Sequence, residues 1–299
     1  MSGLPPGPPP GPPPTEGLGP ATGKQLLSAC WGMLREDREM LLLPFIGAVF
    51  ALIAWVILFV PGFLIGWAVS GQSDSQAGPI VGFVLGTFAA TCVSVYFQAA
   101  LVIAANIRAD GGDPTRAQVL GLAWQRRGTI LKWALLTTTV GVVLRAIQDR
   151  LGAAGAILGA LGGLAWGVAT FLVVPVLVSE DVGPVTAVKR SATVLQQTFG
   201  TSIRTTLRFG LIAIVLWLPS IALAVVGVVL LGRGTGADAL GITLIAIGVL
   251  AMIVLAVVFS AIGAYARALI YRYAVGKPTP GIPTELFAGV FRRKGLLSR

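Results

Sequence analysis

Six stretches of this chain are each apolar over a length that suits a bilayer crossing, and nothing else in the sequence restricts the fold as strongly. They fall at about 40–67, 79–107, 128–147, 151–178, 207–231 and 239–270. Roughly 20 predominantly apolar residues cross the hydrocarbon core as a helix. These runs are continuous, without the ten-residue alternation of an outer-membrane barrel. Inside lipid, backbone N–H and C=O groups have to find partners within the segment itself, so each run is read as a helix. The predicted fold class is therefore all-α, a polytopic membrane protein with six transmembrane helices. They are arranged as three hairpins, each preceded by a cytoplasmic interfacial amphipathic helix. The composition agrees, because 55% of residues are hydrophobic and 11% charged, against about 25% charged in a soluble domain.

The stretch 170–199 shows the unit that the other hairpins vary. A buried apolar helix around Pro175 passes through Glu180-Asp181 and Gly183-Pro184 into a new helix carrying Lys189-Arg190. Pro184 suits the first turn, where a missing N–H costs nothing. Val185, Val188, Ala192, Leu195 and Phe199 recur at intervals of three and four, which predicts one apolar face. Lys24 to Glu39 forms a similar helix before the first span. Asp113-Pro114 predicts another helix start, with the aspartate capping and the proline in the first turn. Gln148-Asp149-Arg150 is read as a tight turn between the third and fourth spans. Pro44, Pro61, Pro175 and Pro219 are expected to kink their spans. Residues 1–23 are Pro/Gly-rich and read as a disordered tail. Residues 24–275 form the membrane domain, and 276–299 a basic tail with a short amphipathic helix. No basic segment precedes an early apolar core, so the first span is expected to act as an uncleaved anchor.

Charge sets the orientation. With loops assigned alternately, nineteen Lys and Arg residues fall on the side of both termini, and three (Arg145, Arg150, Arg233) on the other. The positive-inside rule then makes both termini cytoplasmic, in a bacterial inner membrane. The net charge of +10 becomes a collar facing anionic lipid headgroups rather than nucleic acid. Arg126, Arg127, Lys189, Arg190, Arg292, Arg293 and Lys294 are its candidate lipid or partner contacts.

Small residues mark the candidate helix contacts. Gly155, Gly159, Gly163 and Gly167 recur every fourth residue, as do Gly82 and Gly86, and such faces let membrane helices approach closely, within one chain or in a homo-oligomer. Ile107-Arg108 through Gly112-Asp113-Pro114 aligns with Tyr271-Arg272 through Gly276-Lys277-Pro278, suggesting a degenerate repeat. Gln98 is the candidate intramembrane polar site, and a permease or channel built around it is the alternative to a non-enzymatic scaffold. Histidine is absent, and no nucleophile motif or phosphate loop occurs, so neither catalysis nor a cofactor is expected. Glu180, Asp181, Asp110 and Asp113 are the acidic residues that could gather around a divalent cation, although carboxylates beside helix starts ordinarily act as caps or dipole partners.

Four segments carry a resemblance: Leu34-Arg35 through Leu43-Pro44, Tyr96-Phe97-Gln98-Ala99-Ala100-Leu101, Phe171 to Ser191, and Leu286-Phe287-Ala288-Gly289-Val290-Phe291-Arg292. Together they resemble an uncharacterised family of six-span prokaryotic membrane proteins, a domain of unknown function. More distantly, the architecture is similar to the membrane domain fused ahead of some glycerophosphodiester phosphodiesterases. The resemblance implies a membrane scaffold and supplies no catalytic residues; the phosphodiesterase barrel is absent.

Overall fold

The computed structural model describes residues 30–35, 37–70, 77–199, 203–232 and 238–278, and every regular element in them is helical. The proline-rich tail and the amphipathic helix expected near Leu286 lie outside the described residues. A helical segment at 30–35 and a 3-10 turn (Arg38–Leu41) lead into α1 (Leu42–Ser70). Then follow α2 (Ala77–Ala109), α3 (Arg116–Gln125), α4 (Arg127–Ala169), α5 (Val173–Ser179), α6 (Pro184–Phe199), α7 (Ile203–Gly232) and α8 (Asp238–Ala274).

Five segments are long and apolar enough to cross a membrane: Glu39–Val69, Ala77–Ala109, Arg127–Leu151, Ala154–Ser179 and Asp238–Ala274. Trp217–Gly232 is a shorter apolar helix.

Glycines fix how these helices pair. A methyl group at Gly82 would come within 2.7 Å of the Phe59 carbonyl, one at Gly66 within 2.6 Å of the Ala77 carbonyl, and one at Gly86 within 2.9 Å of the Trp55 carbonyl. As the α2 number rises the α1 number falls, so the two helices run antiparallel in backbone contact. Gly227 against Gly241 and Gly248 against Ser220 relate α7 and α8 in the same way.

α4 is continuous over 43 residues and, if straight, would be about 64 Å long. Instead, Gly162 lies against Leu144, and Gly159 and Gly155 against Gln148. The helix doubles back on itself. The expected turn at Gln148-Asp149-Arg150 is helical, because none of these residues obstructs the backbone ladder; the approaches put the reversal between Leu151 and Ala154. Gly163 and Gly167, expected in the same groove, have nothing within 4 Å of a Cβ position.

The prolines divide by position. Pro44 falls in the first turn of α1 and does not interrupt it, and Pro61 and Pro219 are carried inside α1 and α7. Pro175 does more than kink. It offers no N–H to the Phe171 carbonyl and its ring crowds that group, so the helix breaks at Thr170–Leu172 and restarts as α5. The buried Ser191 hydroxyl of α6 accepts the Leu172 N–H at 3.1 Å.

Burial separates two layers. Apart from the glycines at the helix contacts, Gly78, Gly82 and Gly86 in α2 and Gly241 and Gly248 in α8, α2 has no buried residue before Val95 and is then buried over Ala99–Ala105, and α8 has none before Ala261. The stretches before these points, Ala77 to Val95 and Asp238 to Ser260, measure about 27 and 33 Å at 1.5 Å per residue, matching a hydrocarbon layer of about 30 Å. Beyond them the helix ends pack into a cap with Cys30, Leu34, Met40, Leu43, Val173, Val174, Val176 and Leu177 of α5, Val119 and Ala123 of α3, and Ala187 and Val194 of α6. The predicted apolar face of α6 is rotated. Ala187, Ser191 and Val194 face inward, while Val185 is 58% exposed. Small residues take the inner face because the backbone at Leu172, just before α5, comes close enough to bond Ser191.

Helix α3 starts two residues later than expected. Thr115 caps it by accepting the Gln118 N–H, and Asp113 turns to Arg108. The repeat is also displaced by one residue. Gly111 (φ 81) and Gly276 (φ 74) are the left-handed residues that end α2 and α8. The pairs Gly112 N–H to Ile107 O and Lys277 N–H to Arg272 O, at 2.9 and 2.8 Å, match one another, as the Schellman motif requires. Ile107, rather than Arg108, is thus the counterpart of Arg272.

Candidate functional site

The ion pairs among the described residues lie at the cap end, and they join segments from every helix pair. The centre is Asp37, in the turn before α1, whose side chain is 2% exposed. Arg108, at the end of α2, donates from Nε to Asp37 Oδ2 at 3.1 Å and from Nη2 to Oδ1. The Tyr265 hydroxyl of α8 donates to the same Oδ2 at 3.1 Å. A buried carboxylate persists only with such partners. Arg108 also holds Asp113 at 2.7 Å.

A second node is built on Arg272, 3% exposed. Its guanidinium donates to Asp110 Oδ1 at 2.5 Å, twice to the Pro278 carbonyl, and to the Asn106 carbonyl at 3.5 Å. A cation there also meets the negative end of α2. The hydrogen bond from Arg272 holds the Asp110 carboxyl below its ordinary range; partial burial opposes this, and the charges of Arg272 and Lys277 add to it. In a third node Glu180 accepts the Tyr271 hydroxyl at 2.6 Å and Arg190 Nε at 3.1 Å. Arg126 pairs with Asp181, and Arg116 with Glu39 at 2.9 Å.

Glu180, Asp181, Asp110 and Asp113, the candidate cation ligands, are therefore each engaged by an arginine, and among the described residues no group of three metal-ligating side chains forms. The collar divides likewise. Arg126 and Arg190 lie in ion pairs. Arg127 is exposed, stacked over the Trp124 ring at 5.4 Å, and Lys189 is exposed. Arg292, Arg293 and Lys294 lie outside the described residues. Gln98 is half-buried and makes no side-chain hydrogen bond to a described residue. Thr137 and Thr139 bond carbonyls one turn back, while the buried Thr138 hydroxyl has no partner among the described residues.

Over residues 77–281 the chain matches a family described as a family of unknown function, DUF6159. The chain belongs to that family. The DUF6159 match begins at the start of α2, so Asp37 and α1 lie before it, although Asp37 bonds two residues within it. No curated protein and no solved structure matches the chain. Asp37, Tyr265 and Ser191 were not singled out in the sequence as functional residues, and Tyr271 and Arg272 were noted only as part of a repeat. One signal was present: three of the four tyrosines, Tyr265, Tyr271 and Tyr273, gather at the end of the last apolar run, and a tyrosine at such a boundary generally seeks a partner for its hydroxyl.

Proposed function

We propose that this chain is a non-enzymatic scaffold of the bacterial inner membrane, crossing it six times as three hairpins with both termini cytoplasmic, and that its basic collar engages anionic lipid or a protein partner. The observation that carries this reading is the division between an apolar layer of bilayer thickness and a charged cap at one end. The apolar helices leave large side chains exposed along their length, Leu250 at 62% for example, and a surface of that kind calls for lipid. The likeness to a phosphodiesterase membrane domain belongs to the same reading, as a scaffold without the barrel.

A permease built around Gln98 has one observation in its favour, the buried Thr138 hydroxyl, which has no partner among the described residues. The scaffold accounts for more, because the cap pairings join the helix pairs together.

The test is to purify the full chain from a membrane containing phosphatidylglycerol and to weigh the lipid it retains. Neutralising Lys189, Arg292, Arg293 and Lys294 together should weaken retention of anionic lipid or of a co-purifying partner by as much as several hundredfold, at about 1 kcal/mol per cation near the surface. Unchanged retention would defeat the collar. A reporter fused after Arg299 that works only outside the membrane would defeat the orientation.

A further inference from the structure

We propose that the elbow between α3 and α4 is a seat for one anionic phospholipid of the adjoining leaflet, a proposal that rests on the membrane reading above. Tyr96 fixes the level of the elbow. It lies nineteen residues along α2 from Ala77, about 28 Å at 1.5 Å per residue, where the hydrocarbon layer ends. Its hydroxyl donates to the Leu120 carbonyl at 3.0 Å, and its ring meets Trp124 edge-on at 6.2 Å. α3 is thereby held at that boundary with Trp124 60% exposed, at the depth where tryptophan ordinarily sits in an interfacial belt.

The charge at the elbow is open. Arg108, Arg116, Arg126, Arg190 and Arg272 each spend their charge on a carboxylate, whereas Arg127 makes no ion pair with a described residue and stands over the Trp124 ring, 5.4 Å from its centroid. One and two turns below Arg127 on α4, Leu131 and Leu135 are exposed, and Lys132 is exposed beside them. Cation, aromatic ring and leucine stripe follow one another in the order of phosphate, glycerol and acyl chain. A free phosphate would satisfy Arg127 and leave the ring and the leucines uncovered, which selects the lipid.

The experiment reconstitutes the full chain with equal parts of phosphatidylcholine and phosphatidylglycerol and counts retained lipids by native mass spectrometry. Arg127→Gln, Trp124→Ala and the charge control Lys189→Gln are compared, with unfolding in detergent checking each fold. Arg127→Gln should weaken retention of one phosphatidylglycerol about fivefold. Trp124→Ala should weaken the same molecule, Arg127→Lys should restore most of it, and Lys189→Gln should leave it in place. Equal loss in Arg127→Gln and Lys189→Gln would mean diffuse attraction to the collar and overturn the seat. Displacement by inorganic phosphate would overturn the lipid as occupant. No preference for phosphatidylglycerol in the unmodified chain would overturn the lipid arm of the collar reading together with the seat.

Discussion

Replacing Asp37 by Asn removes the charge on which Arg108 and Tyr265 both converge, in a place with almost no access to water. Breaking a buried pair by altering one partner costs about 3–5 kcal/mol. The lower end applies here, because Arg108 keeps Asp113. Tyr265→Phe removes one hydrogen bond to a charged group and should cost about 1.5–3 kcal/mol. Unfolding in detergent micelles should rank the two variants in that order. At the Arg272 node the variable is pH. The Asp110 pKa is lowered in the folded state, so the unfolded chain takes up the proton first. The stability from this pair is complete above the unfolded value near 4 and is lost as pH falls through the lower folded value. Asp110→Asn should thus flatten the fall in melting temperature below about pH 4. The change should be small, since the Asp110 side chain is 65% exposed and the pair is screened.

At the scale of elements, the join between α5 and α6 depends on one hydroxyl. Ser191→Ala leaves the buried Leu172 N–H without its acceptor, an omission that costs about 1–3 kcal/mol. Because α6 is anchored to the broken helix at this point, denaturant titration should give a lower midpoint, and Ser191→Thr should recover part of it. This contact also shows what could be read in advance. The helices at 77–109 and 238–274 were legible because length and apolarity alone specify them. The inner face of α6 was not, since periodicity counts Val185 as a core residue and Ser191 as a surface one, and only the approach of the backbone at Leu172 reverses that. Pro175 was visible as a distortion, but its outcome depended on a hydroxyl nineteen positions away. The cap pairings were still less accessible. Asp37 and Tyr265 are 228 residues apart, and nothing local in either segment names the other. Among the candidate contacts, Arg126 and Arg190 could be read as cations but not as partners of Asp181 and Glu180.

At the scale of the whole molecule, the cap is where the helix pairs become one body. α1 packs mainly on α2 and α7 mainly on α8, whereas α2, α5, α6, α8 and the segment before α1 meet at the cap. Cys30 lies inside it, fully buried, and burial pushes its thiol up to about 12. At pH 8 it is thus both inaccessible and almost entirely in the unreactive thiol form. Labelling by a maleimide then reports how often the cap opens, because a group of this kind reacts only from the opened population when reclosing is fast. In a Cys92→Ala background, so that only Cys30 can respond, the folded chain should take up label very slowly in micelles. Adding Asp37→Asn should speed labelling on the order of a hundredfold, the population change that corresponds to about 3 kcal/mol. Ser191→Ala should speed it less, in proportion to its smaller cost. If the cap opened piecemeal, Cys30 would answer to Asp37, its neighbour in sequence, and remain indifferent to Ser191. A rate that follows the measured stability of both variants is the mark of a cap that opens as a unit.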